Sequence, residues 1–203
     1  MKTIDALARL AALRAPAFTT NDAATALQIT RAHASKTLAR LAMARQVVCL
    51  RRGRWGIQDK IDPLMLPAML TAPAACYISL QSALYLHGMI SQMPQRVYAV
   101  SSARTRAFRT PLGGVSIHHV KPSFFRGFEV NPRNGVAMAT PEKALVDFLY
   151  LGPSRSRLFA ALPELEFPSG FRSSLAWKYT RLIDAPRRRK LVGERLNKLL
   201  KKR

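Results

Sequence analysis

Residues Thr19 to Ile57 read in an order that few small folds can accommodate: two short helices separated by a tight turn, then a hairpin with a basic tip. Thr19-Thr20-Asn21-Asp22 can cap a helix, and Ala23 to Leu27 continue it with small and apolar residues suited to burial. A turn follows at Gln28 and Ile29. The run Thr30 to Leu41 then places Ala34, Leu38 and Leu41 on one helical stripe and leaves Arg31, His33, Ser35, Lys36 and Arg40 on other faces. Val47 to Leu50 and Trp55 to Ile57 are β-prone and flank Arg51-Arg52-Gly53-Arg54, a turn carrying three arginines. This order predicts a winged helix-turn-helix over residues 1–60, with the second helix facing the major groove of duplex DNA. Arg31 and Lys36 can donate to guanine N7 and O6, and His33 and Ser35 to base edges or phosphate. Arg40, Arg51, Arg52 and Arg54 are then candidates for the phosphate backbone or the minor groove.

The charge agrees with a polyanionic partner. The chain has 33 Lys and Arg against 11 Asp and Glu, for a formal net charge of +22 over 203 residues. The excess concentrates in residues 1–60 and in the last 17 residues, where Arg187-Arg188-Arg189-Lys190 and Lys201-Lys202-Arg203 occur. Those tail residues have two readings: further phosphate contacts, or a solvated basic face with Leu191, Leu196 and Leu199 turned inward. Anionic lipid is the competing polyanion, but no apolar run approaches the roughly twenty residues that span a bilayer and no secretory pattern begins the chain. A cytoplasmic location is expected, with no membrane partner. Cys49 and Cys76 lack metal-ligand spacing and read as isolated thiols.

Hydrophobic residues make up 48 % of the chain, enough for a buried core beyond the first module. Met1 to Arg14 is a predicted helix with Ile4, Leu7, Ala8 and Ala11 on its packing face. Residues 61–73, with prolines at 63, 67 and 73, read as a Pro-rich connector, either a short helix or irregular, holding the domain boundary. Beyond it, residues 74–203 predict a mixed domain: a helix over residues 78–90, capped by Ser79 and closed by Gly88; strands at 97–101, 116–120, 128–130 and 136–139; and a helix capped by Thr140 with Pro141 first. Leu158 to Leu162, Ser174 to Ile183 and Arg187 to Leu200 are further helical candidates. The fold class is therefore α+β, a winged helix-turn-helix followed by a mixed α/β domain with a small sheet and a helical basic tail.

Tyr77-Ile78-Ser79-Leu80-Gln81-Ser82-Ala83-Leu84-Tyr85-Leu86-His87-Gly88, the following Arg96-Val97-Tyr98-Ala99-Val100-Ser101, and Ala139-Thr140-Pro141-Glu142-Lys143-Ala144-Leu145-Val146-Asp147 give a further signal. With the N-terminal module they resemble the AbiEi family, antitoxins of type IV, abortive-infection toxin–antitoxin systems, over about residues 1–150. The resemblance implies a winged domain that binds inverted repeats in the promoter of its own operon. It also implies a second domain that opposes a nucleotidyltransferase-like toxin without a stable complex.

Catalytic chemistry finds little support. His118 and His119 are adjacent in a strand and point to opposite faces, so they are a poor ligand pair, and His87 ends a helix, where a structural role is expected. Glu142 and Asp147 lie about 140° apart on a helix. Gly113-Gly114 reads as a hairpin turn and not as a phosphate loop. Phe124, Phe125, Phe128 and Tyr98 could stack on single-stranded bases beside Lys121 and Arg126, but core packing of a small sheet accounts for them more simply. Arg104, Arg106 and Arg109 are placed on a loop between strands. No enzyme activity, cofactor or metal is expected. The competing functions are a stand-alone winged-helix transcription factor whose second domain senses a ligand or partner, and an RNA-binding protein or nuclease.

Overall fold

The computed structural model describes residues 3–152 and 164–201; the helix expected at Leu158 to Leu162 lies outside them, as do Lys202 and Arg203. The chain is α+β. It begins with α1 (Thr3–Ala11), β1 (Ala17–Thr19), α2 (Thr20–Leu27), α3 (Arg31–Met43), β2 (Val47–Arg51) and β3 (Arg54–Ile57). Helix α1 turns Ala6 and Leu10 inward, with Leu7 and Ala11 half-buried, while Ile4 is 76 % exposed and Ala8 is exposed. The expected packing face through Ile4 and Ala8 is thus rotated. Six of the nine residues of this helix are apolar, enough for the stripe to be drawn more than one way, and the contact with α2 and α3 selects the one through Leu10.

Strand β1, only Ala-Phe-Thr and not anticipated from the sequence, pairs with β3 in a sheet ordered β1-β3-β2. This sheet separates two cores. On one face Phe18, Val47 and Ile57 pack with Ala6, Leu10, Ala23, Leu27, Leu38 and Leu41 of the three helices. On the other, Ala17 and Val48 lie opposite Gly56, and together with Leu50 they join the larger core built by residues 61–200. Gly56 is required for that approach, because a Cβ there would stand 2.3 Å from Ile61 Cδ1 and 2.9 Å from the Pro16 carbonyl.

The proline-rich stretch is packed structure. Asp62 accepts from the Leu64 amide at 2.8 Å to start a 3-10 turn, which leads into α4 (Leu66–Thr71) with Leu66, Pro67, Met69 and Leu70 buried. Pro67 lies in the first turn, where a missing N–H removes no helical bond. The remaining elements are β4 (Cys76–Ile78), α5 (Leu80–Leu86), β5 (Arg96–Ser101), β6 (Arg106–Thr110), β7 (Gly113–His119), β8 (Phe128–Val130), β9 (Ala137–Ala139), α6 (Pro141–Leu151), α7 (Ser173–Arg181) and α8 (Pro186–Leu200). Their strands form a second sheet ordered β6-β7-β5-β4-β9-β8, in which β4 with β9 and β5 with β7 run parallel.

Two of these strands depart from expectation. Ile78 belongs to β4 and not to the following helix, which begins two residues later. Arg106 and Arg109 lie on the edge strand β6, paired with β7 through a hairpin whose turn is Pro111-Leu112, and not on a loop. Pairing with β7 serves one side of the β6 backbone, while among the described residues no further strand covers its other side, where the exposed arginines blunt the free edge.

The central strands of the six-stranded sheet are buried on both faces. By register, Ile78, Ala99 and Ile117 share one face with Val115, each at most 2 % exposed. Helix α4, lying against β4, β5 and β7, covers it and brings the three-stranded sheet with it. Tyr77 and Ser79 point to the other face, where their hydroxyls donate to Asp147 of α6 at 3.0 and 2.8 Å. Ser79 therefore serves this carboxylate and makes no side-chain cap on α5, whose C-terminal end is closed as expected by Gly88 at φ +69°. Helices α7 and α8 pack outside α6. The molecule is thus a stack: α1–α3, the small sheet, α4 with the large sheet, α6, then α7 and α8.

Within α6, Lys143 and Asp147 form a fully buried ion pair one turn apart. Burial pushes the Asp147 carboxyl up, opposed by the Lys143 charge and by the donated hydroxyls; burial likewise pushes the Lys143 amine down, opposed by Asp147. The ammonium also lies 3.7 Å from the centre of the Phe124 ring.

Candidate nucleic-acid interface

The α2–α3 pair is held at both helix starts by side chains. Thr19 Oγ1 accepts from the Asp22 amide at 3.1 Å and Asp22 accepts from the Thr19 amide at 2.7 Å, a reciprocal cap. Gln28, at φ 56°, closes α2 in the left-handed conformation, and Thr30 Oγ1 accepts from the His33 amide at 3.3 Å to open α3. Ala34, Thr37, Leu38 and Leu41 face inward. Arg31, His33, Ser35, Lys36 and Arg40 are all exposed. At 3.6 residues per turn, Lys36 stands about 150° round from the centre of the buried stripe, with Ala32 and Ala39 beside it on the outward side. His33 and Arg40 lie beside it on one side, whereas Ser35 is about 100° and Arg31 about 140° round the helix on the other, Arg31 standing at the first turn next to the buried stripe. A lysine beside two alanines lets the helix approach a groove floor with one long donor.

The hairpin tip is fixed to the start of α2. Thr20 donates its amide to the Gly53 carbonyl at 3.1 Å, and Trp55 Nε1 donates to Thr20 Oγ1 at 3.0 Å. Gly53 has φ +76°, which a two-residue Arg52-Gly53 turn demands and which other residues adopt at a cost. Arg51 and Arg52 are exposed beside this tip. Arg54 is not. It sits on the face of the small sheet toward α4, is half-buried, and donates through Nη1 to the Met69 carbonyl at 2.8 Å. Arg54 shares the side of Gly56, toward α4, whereas its register partner Arg51 follows the bulge between Cys49 and Arg51 at the strand end and is exposed.

In the tail, Arg187, Arg189 and Lys190 are exposed on α8, whereas Arg188 is half-buried. Its Nε donates to the Tyr150 carbonyl at 2.9 Å and its guanidinium lies 5.2 Å from the Tyr150 ring centre, so it ties α8 to α6. The cations that sequence reasoning passed over are Lys178 and Arg181 on α7 and Arg195 and Lys198 on α8, all exposed. Their 3.6-residue spacing on amphipathic helices was the available signal.

Other candidates turn inward or stand apart. Tyr98 and Phe124 are buried, and Phe125 and Phe128 pack on Tyr77 with ring centres 5.0 and 4.8 Å away, so these aromatics build core and offer no stacking platform. His87 Nε2 lies 2.7 Å from the Ala139 carbonyl, joining the end of α5 to β9. His118 is half-buried beside Ser116, with its pKa lowered by burial, while His119 faces the Ser102 carbonyl at 3.1 Å. Glu142 accepts from the Arg172 amide at 2.8 Å, away from Asp147's partners. Among the described residues no group of three or more His, Cys, Asp or Glu side chains is placed to hold a metal ion, and no helix is long and apolar enough to cross a membrane. Compared with protein-family models and with curated proteins, the chain matches none.

Proposed function

We propose that residues 3–57 are a winged helix-turn-helix that reads duplex DNA, and that the chain is an antitoxin-type autorepressor. The observation that carries this reading is the exposed side of α3, with Lys36, Arg40 and His33 grouped on it and Ser35 and Arg31 exposed toward its start, together with a hairpin tip pinned to α2 and bearing Arg51 and Arg52. Helix N-terminal polar residues address base edges, and the arginine tip addresses backbone or minor groove. Arg54 drops out of the DNA contacts, being occupied by Met69. The antitoxin part rests on the resemblance to the AbiEi family: the target is inverted repeats in the chain's own promoter, and the opposed partner is a nucleotidyltransferase-like toxin that need not form a stable complex.

The test is a titration onto a fluorescent duplex carrying the upstream region of the gene, against a scrambled duplex, at two salt concentrations. Preference for the upstream duplex, with affinity falling about a thousand-fold or more between low and moderate salt if six to ten phosphates are contacted, supports the reading. Equal binding to both duplexes removes sequence-specific repression.

A further inference from the structure

The basic surface of this protein is divided between two opposite sides. Helix α3 lies in the first layer of the stack, and α7 and α8 in the last, with the small sheet, α4 with the large sheet, and α6 between them. Packed layers stand about 8–10 Å apart, so the small sheet, α4, the large sheet and α6 hold the two basic surfaces several layers from each other. A straight duplex seated on α3 leaves α7 and α8 facing away from it.

That far side is nonetheless cationic. Lys178 and Arg181 on α7 and Arg187, Arg189, Lys190, Arg195 and Lys198 on α8 are exposed, and Val192 and Leu196 anchor α8 from beneath. Of the acids there, Asp184 is engaged with Lys121 at 3.4 Å, leaving Glu194 as the exposed counter-charge on α8. From Arg187 to Lys198 the helix rises about 16 Å, which matches some five base pairs of duplex backbone. The aromatic residues of α7 do not offer a platform for unstacked bases: Tyr179 is 9 % exposed and Trp177 packs over Gly193 of α8. A rigid cationic helix surface without stacking groups suits the regular phosphates of a double helix better than a single strand.

We propose that α7 and α8 form a second, sequence-independent site for duplex DNA, on the opposite side from α3, so that one molecule holds two duplex segments at once. The inference takes from the proposed function only the statement that α3 holds the first. In the test, an upstream duplex of roughly 16 base pairs is immobilised, saturated with the full-length protein and washed, and a labelled unrelated duplex of equal length is added. Rods so much shorter than the persistence length of about 150 base pairs do not wrap round to the far side.

Wild-type protein is expected to capture the second duplex. The variant R187Q/R189Q/K190Q/R195Q is expected to stay on the first within about threefold while capturing the second at least about tenfold less. Equal capture by variant and wild type, as self-association of the protein would give, overturns the proposal, as does absence of capture by wild-type protein seated on the first duplex. Displacement of the captured duplex about tenfold more readily by a structured RNA hairpin than by unlabelled duplex assigns the surface to RNA and overturns it too. If the first duplex fails to retain the protein, it is the α3 reading that fails. The second site is then decided by salt titration on unrelated duplex. A slope shallower in the variant by about 0.9 per lost phosphate contact supports the site, and an unchanged slope overturns it.

Discussion

Lys36 stands on the outward side of α3, while Arg52 stands at the hairpin tip, and the two positions call for different losses. Replacing Lys36 or Arg31 with Ala removes a donor placed for base edges, so binding to the upstream duplex should weaken by about 1–3 kcal/mol with little change on scrambled DNA. Arg52→Ala should weaken both duplexes alike and flatten the salt slope by about one unit. Parallel titrations on the two duplexes check this, and equal losses from every substitution would remove the division of labour. Arg54→Ala should leave DNA affinity nearly unchanged and act on stability, because its partner is the Met69 carbonyl. The buried pair in α6 tests a different kind of residue effect. Asp147→Ala leaves the Lys143 ammonium buried without its carboxylate and should cost about 3–5 kcal/mol of folding stability in denaturant titrations, whereas K143M/D147L, with both charges gone, should recover much of that loss. If the double variant is as unstable as the single one, hydrogen bonds from Tyr77 and Ser79 outweigh the ion pair. His118 adds a pH term. Its folded-state pKa is lowered by burial, so the unfolded chain binds the proton more readily and stability is fully present above the unfolded value near 6.5 and declines as pH falls below it. Thermal midpoints between pH 7.5 and 5.5 should fall less steeply for His118→Asn than for wild type, and identical slopes would remove His118 from the account.

Among the elements, α3 depends on a single hydroxyl at its start. Thr30→Ala deletes the acceptor for the His33 amide, which should cost about 1 kcal/mol, or a melting temperature lower by about 2–4 °C in a chain of this length. A calorimetric scan decides it, and an unchanged midpoint would mean that solvent caps the helix equally well. The same cap shows what can be read from a sequence. Thr19 with Asp22, Thr30, and Thr140 with Pro141 each announce a helix that is there, because capping is local chemistry between neighbours in the chain. Strands β5, β7, β8 and β9 were likewise legible from β-branched and aromatic runs. Strands β1 and β4 were not: each has three residues, and each is a strand only because a distant partner, β3 or β5, supplies its hydrogen bonds. Strand β6 was hidden by its arginines, which an exposed edge tolerates. The exposed side of α3 was legible for the same reason as the caps, since it follows from helical period. The loss of Arg54 and Arg188 from the surface was not, because it depends on carbonyls 15 and 38 residues away.

At the scale of the whole molecule, the small sheet is a shared wall. The sequence suggested a module of residues 1–60 joined by a connector, but Val48 and Leu50, 4 % and 2 % exposed, belong to the core built by the later residues, and α4 packs against that core from within the supposed linker. Burying two such side chains is worth about 1.5–3 kcal/mol each, so the N-terminal elements and the large sheet draw stability from the same contacts. Full-length protein should therefore unfold in one cooperative transition, with calorimetric and van't Hoff enthalpies in agreement. A fragment of residues 1–60 should expose Ala17, Val48 and Leu50 as an apolar strand face and associate or aggregate, whereas V48T/L50T in that fragment should restore a monomer with native-like circular dichroism. In the intact chain the same double substitution should lower stability by several kcal/mol. It replaces two buried apolar groups with hydroxyls that need partners within an apolar interface. Two well-separated transitions in the intact protein, or a monomeric and stably folded wild-type fragment, would show that the wall divides independent units, and the N-terminal module proposed to read DNA would then be free to reorient relative to the second basic surface.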